Sequence, residues 1–309
     1  MNKPSPKAIL KAHLALIGVA LIYGASFLIA KNAMDDAVPA RAFIQFRVTG
    51  AAILFWMLLP WSGPTRIYHL NKGDVFRLVL CAAFGVTTNQ LFFFEGLAIT
   101  TPVNASIMMV SGPIAVLVMS AILLKEQITP SKVLGIALGA IGALWLILSG
   151  AQWEINGLFE SDVARGNLFV LINATSYAIY LVIVKPLMSK YNALFVIRWV
   201  FTFGVFLVLP FGGPQIPSIP WEYWDQGIII SVLYVILGTT FLTYLGNIIA
   251  LKTLRPATVG AYIYLQPLIA SILSLIFADE SWSLSMLGGA LCIFGGVYFV
   301  SFYDRAIKG

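Results

Sequence analysis

Glu95 stands in the stretch NQLFFFEGLAIT, with apolar residues on both sides. Arg47 and Arg198 have similar surroundings, in FIQFRVTG and LFVIRWVF. An ionisable side chain in such a setting is costly and marks a place where a charge, proton or ligand is handled. A desolvated carboxylate at Glu95 could take up a proton or hold a substrate ammonium. It could equally pair with Arg47, which lies at similar depth, or reach toward an interface. Arg198 reads as an interface anchor or a structural partner.

Softer polar groups recur at helical spacing. Thr240, Tyr244 and Asn247 fall at i, i+4 and i+7; Asn173, Tyr177 and Tyr180 repeat the pattern. Asn104, Met108 and Ser111 form a third stripe, and Tyr262 and Gln266 a fourth. Tyr23 and Ser26 share a face with Phe27. Residues so spaced point one way. In an apolar solvent such a face turns toward the bundle interior or a watered cavity. Any one of these residues could instead serve a helix–helix hydrogen bond, worth only about 1 kcal/mol. Five stripes on five helices favour a shared polar cavity. Aromatic walls with scattered amides would suit an amino acid or a similar amphipathic metabolite.

Other chemistries find little support. The two cysteines, Cys81 and Cys292, lie in apolar runs and imply no disulfide framework. His13 and His69 have no Cys or Asp cluster near them, so neither a metal nor a cofactor is expected. No G-x-x-x-x-G-K-[ST] loop is present, which tells against an ATP-driven process. An intramembrane enzyme would need a converging nucleophile and base. The chain offers no such set, and we expect no enzyme.

The elements that must carry these residues follow from composition. Of 309 residues, 60% are hydrophobic and 10% charged, with mean hydropathy +0.90; a soluble domain carries about 25% charged residues. Crossing a bilayer takes about 20 mostly apolar residues. Such runs occur near 13–33, 41–60, 75–98, 103–124, 132–150, 166–185, 193–211, 227–250, 257–277 and 283–302. The first, from Leu14 to Ala30, is longer than the ~7–15 residues of a signal-peptide core and reads as a retained helix. With the N-terminus in the cytoplasm, fourteen Lys and Arg fall inside, three outside, and two (Arg47 and Arg198) within helices. That bias sets both termini in the cytoplasm of a plasma (inner) membrane protein. It also accounts for the pI near 9.3 without nucleic acid.

The chain repeats itself. YGASFLIAKNAM at 23–34 returns as YAIYLVIVKPLM at 177–188, an offset of 154 that pairs Lys31 with Lys185. Pro102 meets Pro256, Pro113 meets Pro267, and Glu126 meets Glu280 at the same offset. Two five-helix halves follow, 13–150 and 166–302. Five is odd, so the second enters from the opposite side. Inverted repeats build transporters, because two similar halves can exchange shapes across the midplane. Lys31, Lys185, Arg47 and Arg198 are then gate or anchor candidates. Pro113 and Pro267 each free a carbonyl one turn earlier, which makes a hinge, a polar lining or a static kink. Gly135, Gly139 and Gly142, with Gly288, Gly289, Gly295 and Gly296, read as close contacts between the fifth and tenth helices.

These features carry a family likeness. The Pro102/Pro113 helix runs into LLKEQITPSKVLGIALGAIGALWLI, and the Pro256/Pro267 helix into IFADESWSLSMLGGALCIFGGVYFV. The two halves resemble tandem EamA-type domains of the drug/metabolite transporter superfamily over roughly residues 13–302. The resemblance implies an all-α integral membrane protein of ten transmembrane helices around a central cavity. It further implies secondary active transport, often export, of amino acids or other small metabolites, with a proton as a candidate coupling ion. A receptor or channel of the same fold is the alternative. Related small multidrug transporters use a glutamate in their first helix. The first and sixth helices here contain no acidic residue, which tells against that coupling scheme.

Overall fold

A computed structural model describes residues 5–35, 38–61, 70–100, 105, 108–150, 161–277 and 284–303. The described residues form helices joined by short turns. We number them α1 (Pro6–Asp35), α2 (Ala40–Met57), α3 (Lys72–Ile99), α4 (Ser111–Leu124) and α5 (Pro130–Gly150). Then come α6 (Ser161–Lys190), α7 (Ala193–Gly212), α8 (Gln226–Thr253), α9 (256–277) and α10 (284–303). Within α1, α3, α6, α7 and α8 lie stretches long and apolar enough to cross a membrane.

The exterior fits such a solvent. Along α1, Leu10, Leu14, Ile17 and Leu21 are exposed at 3–4 residue spacing, while Ala12, Leu16, Val19 and Ala20 are buried. On α10, Leu287, Leu291, Phe294 and Tyr298 make the same outward stripe. Apolar stripes of this length facing outward mark contact with lipid. The chain is a multi-pass membrane protein.

The main helix contacts come in matched pairs. α5 packs on α10 and α2 on α7. The second half of α3 packs on α6, as that of α8 does on α1; α4 also lies on α6, as α9 does on α1. The α5–α10 seam is the closest fit. A Cβ at Gly142 would lie 2.6 Å from the Gly289 carbonyl oxygen, and one at Gly296 2.5 Å from that of Gly135. Gly288 meets the seam only loosely, against the Trp145 ring of α5 at 3.8 Å, and Gly295 has nothing within 4 Å and is not part of it.

Among the described residues the helical regularity widens to π geometry at three places that hydropathy does not signal, one of them at the end of α10 over Phe299–Tyr303. α3 widens to a π segment over Ala83–Thr88, and α8 over Val235–Leu242. A π turn leaves backbone carbonyls short of partners, and in lipid these must be satisfied internally. In α3 the Gly85 carbonyl accepts from the Tyr244 hydroxyl at 2.5 Å, and the Phe84 carbonyl accepts from Ser176. In α8 the Val235 carbonyl accepts from Thr239 and Thr240, both at 2.9 Å. Pro113 and Pro267 are not mid-helix kinks. Pro113 sits in the first turn of α4, after a turn at Val110, and Pro267 follows a 3-10 turn at Tyr262–Tyr264. The two irregularities face each other, and the Tyr264 hydroxyl donates to the Val110 carbonyl at 3.3 Å. Each proline thus begins a helical segment, where its missing donor costs little.

Candidate functional site

A cavity of about 140 Å³ lies in the middle of the bundle, walled by α1, α2, α3, α6, α8, α9 and the start of α4. Among the described residues, none of its lining comes from α5, α7 or α10. The volume is close to the ~150 Å³ that holds a benzene molecule in an engineered apolar cavity. This one is not apolar. Its wall includes Arg47, the amides of Asn89, Gln90, Asn173, Asn247 and Gln266, and the phenols of Tyr23, Tyr177, Tyr244 and Tyr262. No Asp or Glu among the described residues lines it.

Arg47 is the cation of the site. It is 7% exposed, and its Nε donates to Thr240 Oγ1 at 3.0 Å. Its guanidinium carbon stands 5.0 Å from the centre of the Phe94 ring, a cation–π distance. Thr240 in turn donates a hydrogen bond to the Val235 carbonyl of the π segment, so the wide turn orients the arginine. Elsewhere in the lining Asn247 Nδ2 donates to the Tyr177 hydroxyl at 2.7 Å. Tyr177 and Tyr180 each lie against Tyr244, with ring centres 6.5 and 6.1 Å away. The Tyr23 and Thr243 hydroxyls are 3.1 Å apart, joining α1 to α8. Tyr262 meets His13 Nδ1 at 2.6 Å.

Local packing holds these walls. Asn173 Nδ2 donates to the Asn89 carbonyl at 2.6 Å, and Asn89 Nδ2 to the Asn173 carbonyl at 3.4 Å, which clips α6 to α3. Nearer the end of α3, Thr100 donates to Asn167 at 2.6 Å. Gly85 has no side chain because the Tyr180 ring occupies the space; a Cβ there would overlap the ring.

The structure sorts the candidates read from the sequence. Tyr23, Ser26, Asn173, Tyr177, Tyr244, Asn247, Tyr262 and Gln266 line the cavity. Ser26 spends its hydroxyl on the Tyr23 carbonyl of its own helix, at 2.7 Å. Met108, Ser111, Tyr180 and Thr240 do not line it; Met109 and Thr239 stand there instead. Ser111 donates to the Met108 carbonyl at 2.6 Å, and Tyr180 packs behind the wall. Thr240 misses by one residue because the π segment of α8 spaces a face at i, i+5, which aligns Thr239 with Tyr244. Asn104 lies outside the described residues, as does the side chain of Lys31.

Glu95 is not in the cavity and its partner is not Arg47. Its Oε1 accepts from Arg41 Nε at 2.5 Å, with both side chains partly exposed, at 32% and 44%. Arg41 and Arg47 are six residues apart on one helix, well over a turn, so only one can meet the carboxylate. A screened pair of this kind contributes less than ~1 kcal/mol. Glu95→Gln is therefore expected to leave uptake within about twofold of the parent across pH. A lost pH dependence in that variant would return Glu95 to the coupling machinery.

Lys185 and Arg198 make contacts between helices. Lys185 Nζ donates to the Leu251 carbonyl and, at 2.7 Å, to that of Leu254, capping the C-terminal end of α8. A cation there meets the negative end of the helix dipole. Arg198 stacks over Trp56 at 4.7 Å and Phe195 at 5.6 Å, joining α2 to α7. Asn89, Gln90, Phe93 and Phe94 are site residues that the polar stripes do not pick out. Two adjacent amides at the centre of an apolar run are the available signal, overshadowed by the charge at Glu95.

Known proteins share this pattern. The profile of the EamA-like transporter family matches residues 10–148 and again 164–302. An uncharacterized transporter of Archaeoglobus fulgidus is 24% identical over 292 residues, covering 94% of this chain and 97% of its own. The transporter YyaM of Bacillus subtilis is 24% identical over 93% of this chain and 92% of its own length. The protein WALLS ARE THIN 1 of Arabidopsis thaliana is 24% identical over 94% of this chain and 82% of its own. A solved crystal structure superposes with a TM-score of 0.76 at 17% identity, covering 96% of this chain and 99% of the other, and so shares the fold.

Proposed function

The chain belongs to the EamA-like transporter family, and from that premise we propose that it is a secondary active transporter that exports a small organic metabolite. An amino acid or a similar amphipathic solute is the substrate class. In this reading α1–α10 each cross the plasma membrane, with both termini cytoplasmic, as inverted repeats over 13–150 and 166–302. The cavity carries the reading. A site rich in amides and phenols, walled by seven helices of an otherwise apolar bundle, suits the binding of a solute near the point where the repeats meet. The matched helix contacts support two equivalent halves. The paired π segments in α3 and α8 supply irregular backbone beside the cavity, where such backbone is tolerated.

The mechanism is alternating access. Solute binds among Arg47, Asn247, Tyr177 and Gln90, and the halves exchange conformations around it. A proton is the coupling ion we propose, read as dependence of flux on a pH gradient. The test is counterflow in proteoliposomes preloaded with each of the twenty amino acids, or with nucleosides or sugars. Preloading with one class is expected to accelerate uptake of the labelled solute at least severalfold, with saturation. Linear, non-exchanging flux would make the protein a channel and sink the carrier reading.

A further inference from the structure

The lining of the cavity is unbalanced in charge. Arg47 is buried and ionic, yet among the described residues no carboxylate is paired with it. Glu95 is held by Arg41, Asp74 by Lys190 and Tyr191, and Glu126 by Lys132. Among the described residues the Arg47 guanidinium makes one hydrogen bond, through Nε to Thr240. An unpaired cation at this depth is costly unless something supplies the opposite charge.

A second group in the same wall is also incomplete. Gln90 is 3% exposed and lines the cavity, and its Oε1 has no hydrogen-bond partner among the described residues. Its side chain also lies beside the hydroxyl of Tyr244. Gln90 lies one turn from Phe94, the ring that faces Arg47. Side chains so related stand ~5–6 Å apart on one face. Gln90 and Arg47 line the same cavity.

We propose that the cavity selects a small carboxylate bearing an adjacent donor, whose carboxylate docks on Arg47 against Phe94 while its ammonium or hydroxyl donates to Gln90 Oε1. Arginine suits the first task because its planar fork binds a carboxylate through two parallel bonds. The proposal rests on the transporter reading for its biological meaning but not for its geometry. Neutral amides and amines lack the charge Arg47 requires. Simple carboxylates such as propionate satisfy Arg47 alone and bind more weakly. An inorganic anion such as chloride satisfies the same charge and is the competing occupant.

The test is ligand-induced thermal stabilisation of the purified full-length protein in detergent. The probes are the twenty amino acids, L-lactate, propionate and the amides of the amino acids that respond, with chloride replaced by gluconate throughout. At least one amino acid is expected to stabilise the protein and its amide to do so at least tenfold more weakly. Arg47→Gln is expected to lose at least tenfold in affinity. Arg47→Lys keeps the charge without the fork, and is expected to bind weakly even should Arg47→Gln fail to fold. Gln90→Leu is expected to weaken amino acids and lactate severalfold while leaving propionate unchanged. Equal binding of acid and amide, no response to any carboxylate, or undiminished affinity in Arg47→Lys would overturn the proposal. Stabilisation by added chloride alone, lost in the Arg47 variants, would assign the site to an inorganic anion and also overturn it. Counterflow on the same panel separates the two readings. Exchange of a neutral or cationic class keeps the carrier and removes the carboxylate site. Binding at Arg47 without exchange keeps the site and removes the carrier.

Discussion

A valine at Gly296 is expected to lower the apparent melting temperature of the detergent-purified protein by roughly 5–10 °C, from a loss of about 2–3 kcal/mol. The new Cβ would lie 2.5 Å from the Gly135 carbonyl oxygen, 2.7 Å from the Gly139 nitrogen and 3.0 Å from the Gly139 Cα. All three are backbone atoms, so none can swing aside as a side chain would. The helices α5 and α10 must separate, which forfeits contacts along the most extensive seam in the fold. In lipid that seam rests on close packing and not on exclusion of water, so separation is not offset elsewhere. The neighbouring Gly295 provides the control. A Cβ at that position would meet nothing within 4 Å, and Gly295→Val should change stability by no more than ~0.5 kcal/mol. Equal loss at both positions would implicate the β-branched side chain itself and not the contact.

Asn247→Leu is expected to reduce the initial rate of counterflow at least tenfold and to lower the melting temperature by roughly 2–10 °C. The side chains are similar in size, so the 4%-exposed position stays filled. What disappears is the donor that fixes the Tyr177 hydroxyl at 2.7 Å in the lining of the cavity. A buried hydroxyl that loses its partner re-aims or stays unsatisfied, at about 1–3 kcal/mol, and tenfold in rate corresponds to about 1.4 kcal/mol. Tyr177→Phe removes the other half of the pair. The double variant should be scarcely worse than Asn247→Leu alone, because neighbours sharing one bond are not additive. Additive losses would mean that each residue meets the solute separately.

The apolar runs are legible in the sequence because a bilayer demands about 20 apolar residues whatever else the helix does. The run expected at 193–211 is the helix Ala193–Gly212, and that at 227–250 lies within Gln226–Thr253. The face of each helix is harder to read. The stripe through Thr240 assumes α spacing, and a π segment shifts the face by one residue. Nothing in VILGTTFL announces a wide turn, since its residues are as apolar as their neighbours. Charge at Glu95 draws attention away from Asn89 and Gln90, six and five residues earlier on the same helix. Matching depth suggests Arg47 as the partner of Glu95. Depth is visible in a hydropathy pattern, but rotation about the helix axis relative to a neighbour is a tertiary property, and it selects Arg41.

A π turn is an α-helix that has accepted one residue too many. Such an insertion is disruptive when it first occurs, since every residue beyond it must turn by about 100° or be absorbed locally. Of the three such segments among the described residues, two begin at Ala83 and Val235, in helices α3 and α8 that occupy matching places in the contact pattern, while the one at Phe299–Tyr303 has no counterpart in α5. Independent acquisition at corresponding points would be a coincidence. If the halves descend from one gene segment, the extra residue entered before that segment was copied. An ancestor of half this length would then have carried the wide turn already. The neighbourhoods diverged afterwards: the carbonyls released in α8 are satisfied by threonines of the same helix, and those in α3 by hydroxyls of α6 and α8. That unequal settlement is what a duplicated site looks like once its two copies no longer have to be interchangeable.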